Sequence, residues 1–209
     1  MKESEISHII IAIIILSIVI GFRDLKALNY MGIVLAILFA FIIIILNVLG
    51  KKIMSYVLDL GVEHKIWYLS RYGFRPSQHT KGAMPIGAII PLVITFFSLG
   101  VLKVMTILTY NTKALKRRAV GYYSYTEITD WHNALVGAAG IVVSLLLAFM
   151  GYWFSGTEFL ARMSAFYAFF NMLPIGKLDG AQIYFGSRLL WYALAIITII
   201  FAGYALLLV

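Results

Sequence analysis

Long apolar runs separated by short polar breaks dominate the chain. Residues 28–49 form the longest run, which meets the ~20-residue length that a helix needs to cross a hydrocarbon core. Shorter apolar runs cover residues 9–20, 133–154 and 187–208. The pattern predicts an all-α polytopic membrane protein with about five or six transmembrane or re-entrant helices.

Three stretches depart from simple apolar helices. Residues 53–72 mix charged with apolar side chains, and we predict a helix whose polar stripe faces the protein interior. Pro85 and Pro91 interrupt the next apolar stretch, and because proline kinks a helix we expect a broken or re-entrant segment there. Near residues 118–128 a run rich in tyrosine favours strands, which predicts a short extended or hairpin element.

The order of these stretches suggests three parts in the chain. Residues 1–52 are expected to form two N-terminal transmembrane helices, with Lys51 and Lys52 closing the second one. Residues 53–185 would form a membrane core, and residues 186–209 a C-terminal transmembrane helix.

Composition supports a membrane location. Hydrophobic residues make up 62% of the 209 residues, well above the ~45–50% that is typical of soluble domains. The 17 Lys and Arg residues outnumber the 9 Asp and Glu residues, but they lie mainly between apolar runs, so membrane topology and anionic lipid explain them better than nucleic acid. We therefore expect an integral protein of the cell membrane whose main partner is the lipid bilayer. Since the chain has no cysteine, any transition metal must be held by His, Asp or Glu.

Asp179 is the most informative ionisable residue. It lies between apolar residues on both sides, and a carboxylate at membrane depth is costly unless it faces a partner, water or a metal. The simpler interpretation is an acid at a helix start that caps backbone N–H groups after a break at Pro174. Both interpretations predict a turn followed by a helix.

The residues around Asp179 form a recognisable motif. Asn171, Pro174, Leu178, Asp179 and Gly180 give the pattern N-x-x-P-x-x-x-L-D-G. This pattern resembles the motif that supplies the third zinc ligand in the site-2 protease family of intramembrane metalloproteases, in their archaeal-type form. The resemblance implies that Asp179 is a zinc ligand and that Asn171 lies near the reaction centre, as a polar support for the transition state.

Two other motifs of that family are degraded. Its active members carry H-E-x-x-H on an earlier helix, where two histidines bind zinc and the glutamate acts as general base. The best register sets His64 on the second histidine, which leaves Leu60 at the first histidine and Gly61 at the glutamate. The family pattern A-G-P-x-x-N is reduced to its first two residues in the segment 139–144. By this resemblance the chain is a degenerate member.

Three functions follow as hypotheses. The first is a non-catalytic pseudoprotease that binds a transmembrane client, with His64 and Asp179 as vestigial zinc ligands. The second is an active intramembrane metalloprotease with altered ligands, in which Asp59 or Glu63 joins His64 and Asp179. The third is a small transporter or channel subunit, for which flux that depends on Asp179 would be the test. For His64 the simpler interpretation is a local pair with a neighbouring acid.

Overall fold

The computed structural model describes residues 3–69, 84–114 and 128–207. Helices account for most of these residues, and two short strands pair as an antiparallel sheet. In chain order the elements are α1 (Glu3–Lys26), α2 (Tyr30–Val57), β1 (Leu60–Ile66), α3 (Ile86–Phe97), β2 (Leu108–Ala114), α4 (Asp130–Trp153), α5 (Glu158–Asn171), α6 (Asp179–Gly186) and α7 (Arg188–Leu207).

The predicted class, a helical membrane protein with a hairpin, is confirmed. Within the described residues, four helices, α1, α2, α4 and α7, are long and apolar enough to cross a membrane. At 12 residues, α3 is shorter than the ~20 residues that a crossing requires. Pro91 lies inside this short helix, and no regular structure follows it until β2 begins. The apolar stretch is thus interrupted, as expected, but the helix begins after Pro85 and ends at Phe97 rather than at Pro91.

The helix predicted for residues 53–72 is wrong for residues 58–69, and residues 70–72 lie outside the described part of the chain. Helix α2 continues through Lys51 and Lys52 and ends at Val57. Asp59 then takes a left-handed backbone with φ of 55°, which breaks the helix and which Asp tolerates better than most residues. Beyond it, alternate residues of β1 are buried and more exposed, as in a strand with one face on the core.

The extended or hairpin element predicted near residues 118–128 stays a prediction. The observed sheet pairs β1 with β2, whereas residues 115–127 lie outside the described part of the chain. Polar residues in β1 hid its period of two, because Glu63, His64 and Lys65 look like one side of a helix when read in a window of apolar residues.

The chain divides into two compact units. The first comprises residues 1–44 and 64–109, in which α1 packs on α3. Gly21 of α1 allows close approach to α2, since a Cβ there would lie 2.8 Å from the Ala36 Cβ. Phe22 and Phe96 stack edge to face, with their ring centroids 6.4 Å apart.

The second unit comprises residues 45–63 and 110–209. Its centre is α4, which packs against α5, α6 and α7. Small residues on α4 make this packing close. A Cβ on Gly137 would lie 2.6 Å from the Tyr110 hydroxyl, and a Cβ on Gly140 would collide with the side chain of Lys51. The candidate site lies in this unit.

Candidate functional site

Asp179 is the first residue of α6, directly after the loop 172–178. Helix α5 ends at Asn171, and the chain leaves helical geometry before Pro174, as the sequence predicted. Gly180 is required for the close return of the chain, because a Cβ at this position would collide with the Met172 backbone carbonyl. The Asp179 side chain is fully buried.

The partner of Asp179 is Lys51 of α2. The Lys51 Nζ lies 2.6 Å from Asp179 Oδ2, and the two side chains are 1% and 0% exposed. The same ammonium lies 5.0 Å from the centroid of the Tyr110 ring, a distance at which a cation is attracted to the ring face. Asp179 Oδ1 has no hydrogen-bond partner in the described part of the chain. Lys51 therefore supplies the positive charge that the buried carboxylate needs.

Asn47 lies one helical turn before Lys51 on the same face of α2. Its side chain is 1% exposed, and its Nδ2 donates to the Gly140 carbonyl at 2.9 Å and to the Ser144 hydroxyl at 3.2 Å. Ser55, one turn after Lys51, is also buried. A polar stripe on α2 thus faces α4 and α6.

Asp179 and Tyr110 lie outside the four candidate spans. Burial raises the pKa of the Asp179 carboxyl, and the Lys51 ammonium opposes that rise. Burial and then the nearby Asp179 carboxylate raise the pKa of the Tyr110 hydroxyl well above its usual value. Tyr110 therefore keeps its proton, which it donates to the Asn133 carbonyl at 2.6 Å.

His64 is on strand β1 and belongs to the first unit. It is fully buried, and its Nδ1 lies 3.0 Å from Glu5 Oε1 of α1. The same carboxylate oxygen accepts the His64 backbone N–H at 3.3 Å. The acid paired with His64 thus comes from a distant part of the sequence rather than from the same helix, and its approach to Asp179 stays a prediction.

The remaining candidates from the sequence occupy separate places. Asn171 is buried at the end of α5, where its Nδ2 donates to the Tyr167 carbonyl at 2.8 Å. Glu63 lies on β1 and pairs with Lys113 of β2 at 3.0 Å. Asp59 is in the turn between α2 and β1. Asp59 and Glu63 therefore do not share the helix predicted for residues 53–72.

The described residues do not fit a zinc ion. No three His, Asp or Glu side chains among them are arranged to hold a metal. The register of Leu60 and His64 fails for a geometric reason: residues four apart on a strand are about 13 Å from each other, whereas two ligands of one zinc must both lie ~2 Å from it. Asp179, the implied third ligand, is paired through Oδ2 with the Lys51 ammonium.

A polar cleft of about 380 Å³ lies in the second unit, and Tyr110, whose ring contacts the Lys51 ammonium, is one of its lining residues. It is bounded by β2, the start of α4, the loop before α6 and α6 itself. Amide side chains contribute much of its lining, and one of them, Gln182, donates to the Tyr110 backbone carbonyl at 3.1 Å. The lining residues are Tyr110, Asn111, Thr112, Asn133, Gly176, Lys177, Ala181, Gln182 and Phe185.

Searches against protein-family models, curated proteins and solved structures found no match to this chain.

The roles of Lys51 and Asn47 were not predicted from the sequence. Both lie in a strongly apolar helix, and Lys51 beside Lys52 looked like the charged end of a span. The signal that would have found them is spacing: Asn47, Lys51 and Ser55 are each four residues apart, so they form one polar stripe along an otherwise apolar helix.

Proposed function

We propose that this chain is a non-catalytic, site-2-protease-like membrane protein that binds a transmembrane client, in the cell membrane. The observation that carries the proposal is the buried Lys51–Asp179 pair at 2.6 Å. It stands where the motif around Asp179 implies a metal ligand. A scaffold that keeps the acid and pairs it with a lysine keeps its shape without the metal.

Chemistry supports the absence of hydrolysis. Peptide hydrolysis by this class needs a metal to polarise water and a base to take its proton. A lysine ammonium has three donors and no acceptor, so it takes no proton from water while it is paired with Asp179.

The polar cleft supports the proposed binding of a transmembrane client. A peptide backbone inside a membrane must have its N–H and C=O groups satisfied, and amide side chains supply both donors and acceptors. Asn111, Asn133 and Gln182 bring such groups to one cleft. The client class that fits is therefore a transmembrane segment with a locally unwound backbone.

The experiment uses the purified protein in lipid vesicles and two synthetic transmembrane peptides. One is an uninterrupted Leu/Ala helix, and the other carries a central Asn-Gly-Pro break. We expect the interrupted peptide to bind, measured by fluorescence anisotropy, and to remain intact by mass spectrometry. Gln182→Leu should weaken its binding, whereas Leu189→Ala, at an 82% exposed position on α7, should leave it unchanged.

Two outcomes would overturn the proposal. Cleavage of either peptide with one zinc per chain, lost in Asp179→Ala, would make the protein an active protease. Equal binding of both peptides, or of neither, would remove the specific client.

A further inference from the structure

Asn47 and Lys51 of α2 have the spacing of two metal ligands on one helix. Asn47 and Lys51 stand four residues apart, and both side chains lie against Gly140 of α4: a Cβ at Gly140 would be 3.0 Å from Lys51 Cγ and 3.1 Å from Asn47 Nδ2. Asp179 reaches the same place from α6. Two positions one turn apart on one helix and a carboxylate from another helix thus converge.

We infer that Lys51 takes the place of a metal ion in this chain, and that positions 47 and 51, not 60 and 64, are the counterparts of the two histidines of H-E-x-x-H. The sequence Asn47-Val48-Leu49-Gly50-Lys51 then puts an amide and an ammonium at the two ligand positions and Val48 at the position of the base. The inference rests on the kinship in the proposed function.

The fit of the lysine side chain supports this assignment. A buried carboxylate requires a compensating charge, and the four-carbon stem of Lys51 carries that charge from α2 to Asp179 Oδ2. Glycine at position 140 leaves space for the stem, since any side chain there would collide with it. Glycine at position 140 thus allows the Lys51 ammonium to reach Asp179.

Val48 occupies the position of the general base, and it explains why this arrangement cannot activate water. Its side chain is 4% exposed and has no acceptor for the proton of a water molecule. Asn47, which donates to Gly140 and Ser144, serves to hold α2 against α4. At this site the side chains of α2 therefore hold helices together instead of binding a metal.

The test restores ligands at the assigned positions. The variant Asn47→His/Lys51→His is purified in detergent and titrated with Co²⁺, whose visible absorption reports tetrahedral coordination. We expect one equivalent to bind with a tetrahedral spectrum, and we expect Zn²⁺ to displace it. Adding Asp179→Asn should abolish the spectrum, and the wild-type chain should show none.

The matched control is Leu60→His, which completes the alternative register with His64. We expect no Co²⁺ spectrum from this variant. A tetrahedral spectrum in Leu60→His that is lost in Asp179→Asn would overturn the inference. So would the absence of binding by a folded Asn47→His/Lys51→His variant.

Folding of the double variant is followed by circular dichroism, because it loses the Lys51–Asp179 pair. If the metal-free variant is unfolded, helicity is measured again with one equivalent of Zn²⁺. Recovery supports the inference, and no recovery overturns it. The peptide experiment on the wild-type chain is independent: its failure beside a positive Co²⁺ titration removes the client but leaves the metal-replacement role of Lys51.

Discussion

Lys51 and Asp179 depend on each other. Each is fully buried in the second unit, and removing one partner of such a pair leaves an uncompensated charge, which costs roughly 3–5 kcal/mol. We expect Lys51→Met to lower the free energy of unfolding by about this amount, measured by SDS titration in mixed micelles.

We also expect that the losses in the free energy of unfolding from substitutions at positions 51 and 179 do not add. Lys51→Met/Asp179→Leu removes both charges and should recover most of the loss, since an apolar pair of similar volume replaces a buried ion pair at little cost. Lys113→Met is the control, because Lys113 is 59% exposed in its pair with Glu63 and such pairs contribute about 1 kcal/mol or less. Equal losses at positions 51 and 113 would contradict the importance of burial.

At the scale of elements, Gly180 fixes how α6 follows its loop. A Cβ would collide with the Met172 carbonyl, and backbone cannot move aside as a flexible side chain can. We expect Gly180→Ala to lower the free energy of unfolding by about 1–3 kcal/mol, the usual cost of overpacking. The same SDS titration measures it.

Gly203 of α7 provides the matched control. A Cβ there meets nothing within 4 Å, and alanine favours helix over glycine by up to about 1 kcal/mol. Gly203→Ala should therefore be neutral or stabilising. If Gly180→Ala were equally harmless, the loop 172–178 would not be packed against α6 as described.

How far the sequence predicts an element depends on its length. The long helices α2, α4 and α7 follow directly from apolar runs, because a span of about 20 residues leaves little ambiguity. The strand β1 was missed because seven residues with polar side chains on the open face carry a weak signal. Asp59, whose φ of 55° ends the helix, is one residue and shows no clear break in sequence.

Only part of the candidate site could be predicted from the sequence. The burial of Asp179 follows from its apolar neighbours, and the loop before it follows from Pro174. Its partner does not follow, since Lys51 is 128 residues away in sequence, and only the packing of α2 against α4 and α6 brings the two together. The Glu5–His64 pair was missed because the contact joins distant segments in the same way.

The whole molecule is expected to present its apolar surface to lipid, and α7 offers the clearest test. One side of this helix is covered, with Leu194 and Thr198 buried, while Ile196 and Ile200 are 60% and 63% exposed. In water such a surface would favour aggregation, whereas in a bilayer it contacts acyl chains. Because the chain has no cysteine, a single introduced cysteine carries a unique spin label.

We expect nitroxides at positions 196 and 200, in reconstituted vesicles, to be accessible to oxygen and protected from a water-soluble nickel reagent. A nitroxide at Glu158, an exposed residue at the start of α5, should show the reverse, because a carboxylate there needs water. Membrane depth, rather than exposure alone, distinguishes these positions, since all three are open in the structure. Access of the nickel reagent to position 200 would mean that this face of α7 is covered by water and not by lipid.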